Sequence, residues 1–311
     1  MSPSVSVIIP VRNGEEYIEK ALESVISQSM LSEVIVVDNG STDSTLEILS
    51  DYKGLIVLHE PRPGANSARN RGLQACRTEL VKFLDADDYL LPSALEHQGL
   101  QALDAKPSEI PFGNVIREKN GGRETQKFTK IRAARNPEEQ LISLIHHNLP
   151  TSSPMHRLVL LNKVGGLDTS LQSRQEWNLH LRLVQAGFSF LYFPVDIYVQ
   201  CLHDDQNRIS NRKLVADDEM RNLERAIHSL INTSDPKLGD ALAVYIWSVG
   251  RQFSLRGNAR AAGDFFNFAS QVGSANFRSS LPYKYRLLTY ALGPAWPDVL
   301  FGLFQRLRNR P

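Results

Sequence analysis

Val5-Ser6-Val7-Ile8-Ile9-Pro10-Val11-Arg12-Asn13 opens as an almost unbroken apolar run and turns polar at its end. A strand apolar at consecutive positions is covered on both faces, as a parallel strand between layers of helices is. The pattern returns at Val34-Ile35-Val36-Val37-Asp38, at Leu55 to Leu58 and at Leu80 to Leu84. Between these runs, Glu15 to Gln28, Asp43 to Tyr52 and Ala65 to Ala75 carry helical periodicity. Strand and helix in alternation predict an α/β fold. Polar residues gather where the strands end: Pro10 to Asn13, Asp38 to Ser41, and Asp85 to Asp88. In open parallel sheets ligands bind at that edge.

Further along, the sequence predicts a strand at Pro111 to Ile116, a turn at Gly121-Gly122 and a helix at Pro137 to His146. A helix from Leu158 to Val164 stops at Gly165-Gly166, and one from Glu176 to Ala186 stops at Gly187. Strand patterns at Phe188 to Phe193 and Val195 to Gln200 follow. Beyond about Arg208, helical patterns such as Leu214 to Ile231 and Leu238 to Leu255 succeed one another without a strand. The expected division is a catalytic domain over residues 1–210 and a helical C-terminal appendage over residues 211–311.

The 311 residues are 42% hydrophobic and 22% charged, a composition for a folded core. A net charge of +1 argues against a broad face built for nucleic acid. Cys76 and Cys201 lie far apart, without metal-ligand spacing, and read as free thiols in a reducing compartment. Met1 to Ser4 lacks the features of a secretory signal, so a cytoplasmic protein is expected. No apolar run reaches the roughly 20 residues that a membrane span needs. Tyr283 to Pro311 carries Lys284, Arg286, Arg306, Arg308 and Arg310, with Val299, Leu300, Leu303, Phe304 and Leu307 on one helical face. Such a helix can lie on an anionic membrane as a peripheral contact, pack on the rest of the chain, or join a second subunit in a homo-oligomer.

Asp85, Asp87 and Asp88 follow the apolar run Val81 to Leu84, which places repelling carboxylates at a strand end. A divalent cation relieves that repulsion, and oxygen ligands select Mg²⁺ or Mn²⁺. Capping of a helix near Pro92 by Asp88 or Ser93 explains only one of the three acids. After Asp38, Asn39-Gly40 favours a turn and Thr42 or Asp43 can start a helix, so Asp38 is left over for a base edge or a ribose hydroxyl. The segment Pro61 to Gly72 puts Gly64, Arg69, Asn70 and Arg71 at a helix start, where a diphosphate is favoured. The alternative for that segment is a solvated, arginine-bearing helix face.

These stretches together resemble the inverting family 2 glycosyltransferases. The motifs are Val7 to Glu15, Val36 to Asp43, Gly64 to Gly72 and Phe83 to Asp88, and the resemblance covers residues 4 to 210. It implies a GT-A fold, a Rossmann-like mixed sheet flanked by helices, that binds a nucleotide-sugar donor, most often UDP-linked. By that resemblance Pro10, Val11, Arg12, Asn13, Glu15 and Asp38 stand at the donor nucleotide. Asp85 and Ala86 meet the ribose and metal, and Asp87 is the direct metal ligand.

The family carries its catalytic base at a helix start, usually as Glu-Asp before an aromatic residue and a Leu-Arg-Leu run. Here Gln175-Glu176-Trp177-Asn178-Leu179-His180-Leu181-Arg182-Leu183 matches, with Glu176 at the usual aspartate position. A glutamate keeps the chemistry and adds one methylene of reach. Resemblance also assigns His203 to the metal, and Gly166 and Asp168 to the acceptor side, with Trp177 either an acceptor contact or core packing. The implied acceptor is a glycan or lipid-linked hydroxyl in bacterial surface polysaccharide synthesis. Two rival readings stand beside it. A nucleotidyltransferase would need more glycines after the first strand than Gly14 alone. A non-catalytic nucleotide-sugar binder could share the fold.

Overall fold

The computed structural model describes residues 4–132, 134, 136–203, 216–228 and 236–274. They fall into two compact units, Met1–Arg212 and Lys213–Pro311. The first begins with β1 (Val5–Val11), α1 (Ile18–Ile26), β2 (Leu31–Asp38), α2 (Thr45–Ser50), β3 (Leu55–His59), α3 (Ala65–Ala75) and β4 (Leu80–Phe83). It continues with β5 (Tyr89–Leu90), α4 (Ala94–Asp104), β6 (Glu109–Lys119), β7 (Gly122–Gln126), α5 (Thr129–Arg132) and α6 (Pro137–His146). Then come β8 (Met155–Arg157), α7 (Leu158–Lys163), α8 (Gln175–Gln185) and β9 (Ser189–Cys201).

The strands form two sheets, ordered β3-β2-β1-β4-β8 and β5-β9-β6-β7. In the first, β1 pairs in parallel with β2 and β4, and only β8 runs antiparallel. Val5, Val7, Ile8 and Ile9 are fully buried, as the unbroken apolar run requires. Helix α3 lies so close to β1 that a Cβ at Gly72 would collide with the Ile8 side chain. Because β1, β2 and β4 run the same way, their polar C-terminal residues meet on one edge. Ladder bonds continue past the strand ends there, with the Asn39 N–H donating to Val11 O at 2.8 Å and the Leu84 N–H to Ile8 O at 3.1 Å.

The two strand patterns at Phe188 to Phe193 and Val195 to Gln200 are one strand, β9, parallel to β6. Pro194 has no N–H for a ladder and falls in the register shift between Tyr192 and Asp196, where none is needed. Helix α6 starts where Asn136 accepts the Glu139 N–H at 2.9 Å, with Pro137 in the first turn.

The second unit holds α9 (Ala216–His228), α10 (Pro236–Leu255) and α11 (Ala259–Val272). Helices α10 and α11 pack through Phe253 stacked on Phe265 at 5.1 Å and Trp247 against Phe266 at 5.5 Å. Gly250 provides the close approach, since a Cβ there would press on Phe265. Among the described residues no helix is long and apolar enough to cross a membrane. The basic segment Tyr283 to Pro311, and Asp204 and Asp205, lie outside the described residues.

Candidate active site

The loops after β1 and β2 are laced together. Asn13, in the left-handed region at φ 52°, accepts the Thr42 N–H at 2.8 Å and donates its own N–H to Ser41 Oγ at 2.9 Å. The Glu15 carboxylate accepts the Ser44 N–H at 2.9 Å, and the Glu15 N–H donates to Asp43 at 3.1 Å. Gly14 donates to Thr45 Oγ1 at 2.8 Å. The sequence places Asn13 and Glu15 at the nucleotide, but both side chains are engaged in bracing these loops. Arg12 is exposed at the same edge, Pro10 is half-buried, and Val11 is buried, leaving its backbone as its polar surface.

Asp38 is not left over, which corrects the sequence reading. One oxygen accepts the Ser41 N–H at 3.0 Å, and the other takes the Gly40 N–H at 3.2 Å and His59 Nδ1 at 3.2 Å. Burial pushes this carboxyl up, but the bonds from Ser41, His59 and Gly40 outweigh it and hold Asp38 below its ordinary range. Asn39, read only as a turn residue, organises the next loop. Its amide donates to Glu60 O and Arg62 O, both at 2.8 Å, and its Oδ1 accepts the Gly64 N–H at 2.7 Å. Gly64, at φ 114°, then turns the chain into α3, whose first turn has no side-chain cap and no acidic residue. A helix start of this kind favours an anion.

Helix α3 also delivers Arg69, buried to 5% exposure, which donates to Asp85 at 2.5 Å and to Gln175 Oε1 at 3.4 Å. Asn70 is a clamp in place of the predicted donor contact. Its Nδ2 donates to Leu167 O at 2.8 Å and its Oδ1 accepts the Leu167 N–H at 2.9 Å, so no polar group is left for a ligand. Asn66 donates to Asp168 O at 2.6 Å in the same manner. The Gly166 to Asp168 loop is thereby strapped to α3. Arg182 of α8 adds bonds to Val164 O at 2.6 Å and Gly166 O at 2.8 Å. The Asp168 carboxylate accepts the Ser170 N–H at 2.9 Å and stays partly exposed.

Asp85, Asp87 and Asp88 bring carboxylate oxygens within 4.8 Å of one another. Each has a different partner. Asp85 faces Arg69, and its N–H reaches Ser152 Oγ at 3.3 Å. Asp88 is buried and accepts the Cys201 N–H at 3.0 Å, so it caps no helix, and Ser93 makes no cap bond either. Asp87 meets His203 Nε2 at 2.9 Å, and that ring stacks on Tyr17 at 4.8 Å. The strand end of β4 and the far end of β9 thus bring a carboxylate and an imidazole together across more than a hundred residues. With the Asp85 charge offset by Arg69 and Asp88 held by a backbone N–H, Asp87 and His203 are the pair whose donor chemistry best fits a divalent ion.

Glu176 sits in the first turn of α8, and Oε1 accepts from Asn148 Nδ2 at 2.7 Å. Burial pushes its carboxyl up and nearby Asp85 adds to that, while Arg69 and the Asn148 hydrogen bond pull back. A raised carboxyl near an arginine suits a proton acceptor. Trp177 is 2% exposed and donates its indole N–H to Ile145 O at 3.3 Å. It is core packing, which settles the alternative against acceptor contact. Asn148, Ser152, Gln175 and Tyr17 were not singled out in the sequence, because each is an isolated polar or aromatic residue whose partner is distant along the chain.

Residues 6–164 match the profile of glycosyl transferase family 2. An uncharacterized glycosyltransferase of Rickettsia typhi is 29% identical over 215 residues, 66% of this chain and 66% of that protein. The match therefore spans just under two thirds of the relative's length. TarS of S. aureus, solved in complex with UDP-GlcNAc, superposes with a TM-score of 0.73 at 21% identity, over 99% of this chain and 92% of that one. The mannosyltransferase PcManGT of Pyrobaculum calidifontis, solved with GDP-Man and Mn²⁺, gives 0.57 at 18% identity, over 98% and 88%. At these identities the likeness concerns the fold, the GT-A arrangement of mixed sheets flanked by helices. Because one profile runs from β1 through α7 and takes in just over half of the 311 residues, the chain belongs to glycosyl transferase family 2.

Proposed function

We propose that the chain transfers a sugar from a nucleoside-diphosphate sugar, foremost a UDP-sugar, to a hydroxyl of a glycan or lipid-linked acceptor, with inversion at the anomeric carbon. One observation carries this reading: Arg69 joins the acidic cluster at Asp85 to the Glu176 helix at Gln175. A leaving-group side and a proton-accepting side are thereby held in one rigid frame. The complexes of TarS with UDP-GlcNAc and of PcManGT with GDP-Man and Mn²⁺ support the donor class and the ion.

Glu176 takes the proton from the acceptor hydroxyl as that oxygen attacks the anomeric carbon opposite the diphosphate. The uncapped start of α3 and the edge at Pro10, Arg12 and Asp38 orient the nucleotide. Asp87 and His203, with Asp85 beside them, would hold a Mn²⁺ or Mg²⁺ ion, which when bound offsets charge on the departing diphosphate. Arg69 keeps Asp85 in place and restrains the rise of the Glu176 pKa. The partly exposed Asp168 faces the acceptor side. In-line attack leaves one inversion and no sugar-enzyme bond. Residues 1–210 form the catalytic part in this scheme.

Thermal melting with UDP, GDP, dTDP and CDP, each with and without Mn²⁺, tests it. A ligand at a hundred times its Kd adds about 2.7 kcal/mol. One diphosphate should stabilise only with metal, and Asp87→Ala should abolish the gain. Glu176→Gln should keep the stabilisation and lose transfer, which separates an enzyme from a binder. A melting temperature unmoved by every nucleotide overturns the donor reading.

A further inference from the structure

The two oxygens of Glu176 stand in unequal surroundings. Oε1 is held by the Asn148 side chain at 2.7 Å, and a carboxylate can only accept there, so the amide must turn its NH₂ toward Glu176. That orientation fixes Asn148 Oδ1 on the opposite side of the amide. Oδ1 is buried and has no hydrogen-bond donor in the protein. A buried carbonyl oxygen without a donor is a costly arrangement that native structures keep for a ligand or a water. Here the orphaned acceptor is two covalent bonds from the nitrogen that grips the proposed base.

Resting on the transferase reading above, we propose that Asn148 Oδ1 accepts a hydrogen bond from a second acceptor hydroxyl, next to the attacking one. The site then selects a vicinal diol. The attacking hydroxyl gives its proton to Glu176 Oε2, and its oxygen forms the new bond to the anomeric carbon. The bond from that carbon to the diphosphate breaks, and its electron pair leaves with the nucleoside diphosphate. The neighbouring hydroxyl stays intact, donating to Oδ1 throughout. Oε2 and Oδ1 belong to one hydrogen-bonded pair of side chains, so two acceptor atoms face the acceptor at the short spacing of adjacent hydroxyls. Asn148 thus acts as a specificity residue and, through Oε1, aims the base.

Small alcohols test this without knowledge of the natural acceptor. Nucleoside diphosphate release from UDP-glucose, UDP-N-acetylglucosamine and GDP-mannose is measured over the water background with propane-1,2-diol, propane-1,3-diol and propan-1-ol. The full chain should transfer to the 1,2-diol about tenfold or more faster than to the 1,3-diol. Asn148→Ala should slow transfer and bring the two diols level. Equal use of both diols by the unmodified protein overturns the proposal even if the variant fails to fold. So does an Asn148→Ala protein that keeps the preference. Release with no alcohol at all, unchanged in Glu176→Gln, overturns the transferase reading itself and the present proposal with it.

Discussion

His156 of β8 and His180 of α8 should make the α/β unit sensitive to mild acid. Both are buried, stack on each other at 6.1 Å, and have neither ring nitrogen hydrogen-bonded in the protein. Burial pushes His156 down from 6.5 to about 3, helped by the nearby Lys82 amine, and burial drives His180 well down too. A folded-state value below the unfolded one means that protons bind the unfolded chain first. Stability is therefore full above pH 6.5 and falls as pH drops through that value, continuing toward about pH 3 for His156. At pH 5.5 the unfolded form of each histidine gains about 1.4 kcal/mol, so the pair removes about 3 kcal/mol relative to pH 7.5. For a unit of this size that is a drop of about 6–12 °C in melting temperature. The measurement is thermal or urea unfolding at pH 7.5 and 5.5 for the native sequence, His156→Leu and His180→Leu. His146 and His147 are lowered in the same direction, so the difference between proteins isolates the buried pair. Each variant should lose about 1.4 kcal/mol of the pH dependence. Variants with the same acid loss as the native sequence would refute the reasoning.

Gly72→Ala drives a methyl into Ile8 where α3 meets β1, so it should cost about 1–3 kcal/mol in urea unfolding, while a Gly64→Ala control meets no atom within 4 Å and tests the strain of φ 114° alone. Arg69→Ala leaves Asp85 without its partner and should cost about 2 kcal/mol, discounted because Asp85 is a third exposed. The same change removes a charge that lowers the Glu176 pKa, so the acid limb of the transfer-rate profile should move to higher pH, and an unmoved limb would separate the two residues. Cys201, pushed from 9.0 up to about 11 mainly by burial, should react with iodoacetamide at pH 8 about a hundredfold more slowly than a free thiol, as mass spectrometry would show.

The elements with strong periodicity were legible before the structure. Ala65–Ala75 and Pro137–His146 match their predicted limits, and β1 to β4 lie where their apolar runs stand. What escaped was set by distant partners. Strand β8 has three residues, too few to carry a period, and exists because it pairs antiparallel with Lys82 to Leu80. The sequence splits β9 at Pro194, because a proline within a strand is tolerable only where the register shifts, and the shift depends on β6. In the site, the acids and Glu176 announced themselves through their positions at element ends. Asp38 read as spare because the sequence does not reveal that Ser41 and Gly40 turn their N–H groups back onto it. Asn148 had no local signal, for its meaning comes only from the carboxylate it touches.

The grip of α3 and α8 on the loop between Val164 and Asp168 limits how this protein can be re-engineered. Asn66 and Asn70 hold one end through backbone groups, and Arg182 forks onto Val164 O and Gly166 O at the other. A loop grafted alone from another member of the family would arrive without its anchors. The exchangeable cassette is the loop together with Asn66, Asn70 and Arg182, three positions that lie outside it in sequence and travel with it in space.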